Sequence, residues 1–253
     1  MEDTRLQRGV GIKESEGLPH SAPRNRLLSI LDPDDLALLV PALEQVPLAL
    51  NQVLIAANEP IGHAYFIEDG LISLVAATDR RETGRIEVGI VGYEGFVGVP
   101  LVLGADQSPH MGLVQGEGHG LRIAAADLQI AMHRSPSLRG VLGRFVQSLI
   151  VQVGQTVYAN ADLDIEGRLA RWILMSQDRL QTDDLPLTHV FLSLMLGVRR
   201  PSVTMATQTL EEAGMIKARR GHIVVRDRDK LGALVGDTYG LAEAEYERLL
   251  KRA

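Results

Sequence analysis

The sequence predicts an α+β chain: an N-terminal antiparallel β-roll or jelly-roll, a long helix, then a C-terminal winged helix-turn-helix. Three observations carry this. From Pro47 to about Ile123, short apolar runs are broken by Gly and Asp, the pattern of strands with glycine corners. A segment of helical periodicity follows Ser135 and carries two adjacent apolar stripes. Finally, "LGVRRPSVTMATQTLEEAGMI" places two arginines ahead of a second, shorter apolar helix.

The elements follow in chain order. Residues 1–25 are polar and rich in charge, Gly and Ser, and read as a disordered tail without the apolar core of a secretion signal. "NRLLSILDPDDLALLVPALEQV" reads as one or two amphipathic helices capped by Asp32 or Asp34. "HAYFIEDGLISLVAAT" reads as a hairpin turning at Glu68-Asp69-Gly70. "GRIEVGIVGYEGFVGVP" and "HMGLVQGEGHGLRIAAADLQ" supply further strands and the start of a helix.

The long helix, 137–160, opens at Ser135 or Ser137 and carries two apolar stripes. Leu138, Leu142, Phe145, Leu149, Val153 and Thr156 form one; Val146, Ile150, Val153 and Val157 form the other. So wide an apolar face needs cover on two sides. The roll supplies one cover, and the same helix of a second chain the other, in a parallel pairing whose interface is assigned to the first stripe. "IEGRLARWILMSQDRL" is a further amphipathic helix with Trp172 in its core, and "QTDDLP" a loop.

The spacing of the final region fits a helix-turn-helix. Thr188 caps the first helix, which ends at Gly197, a residue suited to the left-handed conformation. Ser193 is small where the helices approach, and Val203, Ala206 and Leu210 form the inner face of the second helix. Pro201 is tolerated because it lies in the first turn. "GMIKARRGHIVVRDRDKL" reads as strand, basic turn and strand, a wing with Arg219, Arg220 and His222 near its tip.

Charge separates the two halves. The chain has net charge −6, but Thr188 to Lys230 holds eight Lys/Arg against four Asp/Glu, a net +4, leaving −10 elsewhere. A basic module on an acidic body suits contact with phosphate, so double-stranded DNA is the expected partner. Arg200 is the expected base reader, Ser202 and Thr204 reach phosphate or base edges, and Met205 meets a thymine methyl. Arg199, Arg219 and Arg220, with Thr188 and His222 beside them, are placed for the backbone.

This order of roll, long helix and winged helix-turn-helix resembles the Crp/Fnr family of bacterial transcription regulators. The resemblance spans about 26–235 and rests most on "MLGVRRPSVTMATQTLEEAGMIKARRGHIVVRDRDKL". It implies a cytoplasmic homodimer that bends a two-fold symmetric site near a promoter, with RNA polymerase as a protein partner. The implied domains are a cyclic-nucleotide-binding-like sensor (26–136), a dimerisation helix (137–160), the DNA-binding domain (161–235) and a C-terminal helix (236–253).

The departures from the family are specific. Where nucleotide-binding members carry a glutamate after glycine, Gly98 is followed by Val99 and Pro100. No Lys or Arg occurs from Ile86 to Leu121, leaving only His110, beside Met111, to meet a phosphate. Cyclic AMP is therefore not expected in the usual mode; a neutral or apolar effector, a protein partner or no effector stay open. In the recognition helix, Pro201 and Met205 replace the family's glutamate and arginine, so a different operator is expected.

With no cysteine there is no disulfide, thiolate zinc site or cysteine-ligated iron–sulfur cluster. His63, His110 and His119 are scattered, so neither a cofactor nor a metal is expected. No hydrolase, kinase or dinucleotide fingerprint is present, and no apolar run is long enough to span a bilayer. Two other readings compete: a regulatory protein acting only through protein partners, and a cupin-like metalloenzyme built on the roll.

Overall fold

The computed structural model describes residues 23–77 and 85–251. Most of the expected tail lies outside the described residues, but its end does not: Asn25 is buried and ordered. Its side chain donates to the carbonyls of Ile67 and Gly95, both at 2.8 Å, and accepts from the Leu28 amide at 3.1 Å. Asn25, rather than Asp32 or Asp34, thus caps α1 (Arg26–Ile30). Asp32 occupies the N-cap position of α2 (Pro33–Leu39) without a capping hydrogen bond from its side chain.

The N-terminal half is an antiparallel sheet of β1 (Glu44–Leu48), β2 (Val53–Ile55), β3 (His63–Ala77), β4 (Arg85–Val91), β5 (Phe96–Val97) and β6 (His110–Ala124). The strands run in the order β1-β6-β3-β4, with β2 also on β6 and β5 also on β3. β3 corrects the expected hairpin, because it is one strand paired with β6 along its length. What reads as a turn is a bulge: the register shifts around Asp69, Gly70 takes φ +98°, and the Asp69 carboxylate accepts from the His119 amide at 2.5 Å. A bulge bends the strands locally and increases their twist. α3 (Val99–Val102) follows β5, and α4 (Ala125–Arg134) follows β6.

α5 (Pro136–Asp162) is longer than 137–160 at both ends. Ser135 caps it, accepting from the Leu138 amide at 3.0 Å. Leu138, Leu142, Phe145 and Leu149 are buried within the same chain, so they do not form a free dimer face. Phe145 packs against Phe96 with the rings tilted by 45° and their centroids 5.3 Å apart. The strongest apolar stripe is taken by the chain's own sheet.

α6 (Ile165–Leu180), α7 (His189–Leu196), α8 (Arg200–Glu212) and α9 (Arg228–Val235) surround a three-stranded sheet. In it β9 (His222–Val225) lies between β8 (Ile216–Arg219) and a short β7 (Asp184–Leu185). Part of the expected 181–186 loop is therefore a strand. The core of these helices includes Leu71, Val75, Ile90, Met111 and Leu113 of the large sheet. α10 (Leu241–Leu250) returns to α5 and places Tyr246 and Leu250 in the N-terminal core. No helix among the described residues is long and apolar enough to cross a membrane.

Candidate nucleic-acid interface and effector pocket

The helix-turn-helix is built from local geometry. The Thr188 hydroxyl accepts from the Phe191 amide at 3.2 Å, starting α7. Gly197 ends α7 at φ +64°, a region that costs a residue with a Cβ. The turn then carries the chain into α8, whose Val203, Ala206 and Leu210 are buried against α6 and α7. Because these residues face inward, Arg200, Pro201, Thr204 and Met205 face outward, and Met205 is 68% exposed.

The Thr204 hydroxyl donates to the Arg200 carbonyl at 3.1 Å and lies 3.1 Å from His189 Nδ1. Ser202 is half-buried on the edge of the same face. Arg199 and Arg200 are exposed and make no ion pair among the described residues. Arg219 and Arg220, at the wing turn, are equally free. His222 is exposed beside the wing turn, where it pairs with Arg219, but its ring is tied to Asp184 at 2.9 Å. Unpaired arginines spend no charge on internal partners and remain available for phosphate or guanine.

The residues expected to line an effector pocket divide. Gly98, Val99, Pro100 and His110 border a cavity of about 300 Å³ between the sheet and α5. Met111 does not. Side chains alternate along β6, so His110 and Gly112 face this cavity while Met111 packs in the core shared with α6. Leu74, Val88 and Val97 of the sheet and Val146, Ile150 and Val153 of α5 complete the wall. Among the described residues, no lysine, arginine or carboxylate lines it.

A second cavity, of about 370 Å³, lies beneath α10. Its arginines are all engaged: Arg26 with Glu247 at 2.5 Å, Arg179 with Glu94 at 2.8 Å, and Arg228 with Asp178 at 2.7 Å. Among the described residues, no group of three or more His, Cys, Asp or Glu is placed to hold a metal ion.

Sequence reasoning missed one buried polar contact between the two halves of the chain. Glu87 of β4 is buried, 6% exposed, and accepts from Trp172 Nε1 of α6 and from the Ser73 hydroxyl, each at 2.5 Å. Burial pushes its carboxyl up to about 8, against the smaller opposing effects of those two donors and of Arg179 and Arg171. An acid at an apolar-flanked strand position was the only signal, and nothing local identified its partner.

Sheet, long helix and basic winged helix-turn-helix together define the architecture of a DNA-binding regulator fold. The family model of the Crp-like helix-turn-helix domain matches residues 167–234, and that segment is such a domain. Three solved structures show how far the likeness extends. The c-di-GMP-responsive global regulator CLP of Xanthomonas campestris aligns with TM-score 0.63 at 17% identity, over 77% of this chain and 99% of that one. FixK2 of Bradyrhizobium japonicum gives 0.66 at 14%, over 77% and 98%. A Crp/Fnr-family transcriptional regulator of Thermus thermophilus gives 0.62 at 19%, over 76% and 98%. No curated protein sequence matches the chain. The fold is that of the Crp/Fnr transcription regulators, and the resemblance read from the sequence is borne out.

Proposed function

We propose that the protein is a sequence-specific DNA-binding transcription regulator that acts as a homodimer on two-fold symmetric promoter sites. The observation that carries this is the pair of exposed, unpaired arginines, Arg199 and Arg200, at the start of a recognition helix. Such helices read base edges with their N-terminal residues. Arg200 is the base reader, Ser202, Thr204 and Met205 flank it, and Arg199, Arg219 and Arg220 bind the backbone. The protein acts by binding rather than catalysis, in the cytoplasm, and meets RNA polymerase at the promoter.

The homodimer reading rests on the side of α5 that the chain leaves uncovered. Gly143, Gln147, Ile150, Gly154, Val157 and Ala161 recur at alternating spacings of four and three, the repeat of a coiled-coil seam. Ile150 and Val157 are 58% and 66% exposed, and no neighbouring atom lies within 4 Å of a Cβ built at Gly143 or Gly154. This stripe replaces the Leu138–Leu149 stripe as the proposed interface, with Val153 and Thr156 at its edge.

Among the described residues, the pocket at Gly98–Pro100 offers no lysine or arginine to a cyclic nucleotide phosphate, only His110, and the same objection meets the phosphates of the c-di-GMP to which the Xanthomonas regulator responds. The test is selection of bound sequences from a random duplex library by purified protein, with and without cyclic AMP. A palindromic motif with half-sites about one helical turn apart, enriched without nucleotide, is expected. Enrichment only with cyclic AMP would overturn the pocket reading, and none under either condition the DNA reading.

A further inference from the structure

The regulator reading leaves its effector unnamed, and the pocket wall restricts the chemistry. We propose that the cavity between the sheet and α5 binds an uncharged, mainly apolar small molecule of about a dozen non-hydrogen atoms. This rests on the reading of the chain as a regulator with an effector.

Size comes first. The cavity is about 300 Å³, and a dry apolar cavity of roughly 150 Å³ accommodates benzene, so about two such rings fit. A site of this volume is at the small end for ligand pockets.

Charge comes next. An anion removed from water needs a charged or well-donating partner, and among the described residues this wall has no lysine or arginine, with His110 at its rim the one side chain able to carry positive charge. Short helix α3 gives no substitute. Pro100 has no N–H, and the Leu101 amide already donates to the Gly98 carbonyl at 3.0 Å. Among the described residues no carboxylate lines the wall either, so a cation is equally unpaired.

The polar groups lie to one side. The His110 amide donates to the Ser108 hydroxyl at 3.0 Å, leaving the Ser108 O–H without an acceptor among the described residues. A ligand with one hydroxyl, ether or carbonyl oxygen would receive that hydrogen bond while its apolar body lies against Leu74, Val88, Val97 and Val153. Ile150 and Val153 belong both to the cavity wall and to the seam region of α5. Occupancy therefore bears on how a second helix sits, and through it on the separation of the two recognition helices.

The test uses the full-length protein without DNA, so its result is independent of the duplex selection. 2-Naphthol, uncharged at neutral pH and of the right size, is titrated calorimetrically beside 2-naphthoate and cyclic AMP. Saturable binding of one naphthol per chain is expected, with naphthoate weaker by about tenfold or more. Val88→Trp, which fills the cavity, is expected to weaken naphthol by a similar factor while Val88→Ile retains it. Absence of saturable binding, equal binding of naphthoate, or displacement by cyclic AMP overturns the proposal. Should Val88→Trp not fold, methyl NMR of the unaltered protein decides. Shifts centred on Leu74, Val88, Val97 and Val99 support the site, and shifts only elsewhere overturn it.

Discussion

Trp172 Nε1 donates to Glu87 Oε1 at 2.5 Å, joining a helix of the DNA-binding domain to a strand of the large sheet 85 residues earlier. An indole N–H can only donate, whereas the Ser73 hydroxyl on the other carboxyl oxygen can donate or accept. The site therefore accepts either protonation state of Glu87. Burial favours the neutral one. The contact lies in a core shared by both halves of the chain, so separating the halves would expose the acid to water.

That exposure predicts a pH dependence. The ordinary value for the carboxyl is 4.5, and in the folded chain it is pushed up to about 8. Between these values the folded state holds a proton that the opened state releases. The stabilising contribution is complete below the unfolded pKa and is lost as pH rises through the folded one, with a slope of at most about 1.4 kcal/mol per pH unit. Trp172 is the only tryptophan, so its emission reports the contact directly. Urea unfolding followed by that emission at pH 5 to 9 should show falling stability in the unaltered protein and a flatter profile in Glu87→Gln. Parallel profiles for the two proteins would exclude Glu87 as the source.

Two arginines should fail differently on DNA. Arg200→Ala removes the proposed base reader, so it should cost about 1–3 kcal/mol on the preferred site and relax discrimination at one base pair. Arg219→Ala removes a wing charge, so it should weaken all sequences alike and reduce the salt slope by about one. Anisotropy titrations on the selected site and its single-base variants, at several salt concentrations, separate the two. Identical behaviour of both variants would remove Arg200 from the base-reading role.

α10 carries its own prediction. Tyr246 is buried against α5 and its hydroxyl donates to the Glu94 carbonyl at 2.6 Å, while Glu247 pairs with Arg26. Tyr246→Phe keeps the ring and removes the hydrogen bond, so a loss of about 0.5–1.5 kcal/mol in denaturant unfolding is expected. An unchanged midpoint would show that water replaces the hydroxyl without cost.

What was legible in the sequence was local. Thr188, Gly197 and Val203 lie close together in sequence, and each acts through its own backbone or turn, so the helix-turn-helix could be read directly. The Glu87–Trp172 contact joins distant segments, and neither residue has a neighbour in sequence that announces the other. At Glu68-Asp69-Gly70 turn chemistry misled, because a glycine at positive φ serves a bulge as well as a hairpin. α5 misled in a third way: a count of apolar residues picks the stripe that buries best, and that stripe is claimed first by the chain's own sheet.

The remaining stripe gives the clearest test of assembly. Ile150 and Val157 are exposed, so an aspartate at either position meets solvent in an isolated chain and costs its fold little. In a dimer the same aspartate faces its own copy across the seam, where apolar contact is replaced by two like charges in a drying interface. Ile150→Asp with Val157→Asp should therefore give a folded monomer by sedimentation equilibrium, with self-association weakened by about a hundredfold or more and DNA binding reduced with it. Leu142→Asp buries a charge in the core and should unfold the chain instead, since Leu142 is 0% exposed. A double aspartate variant that remains dimeric would place the interface away from Gly143–Ala161.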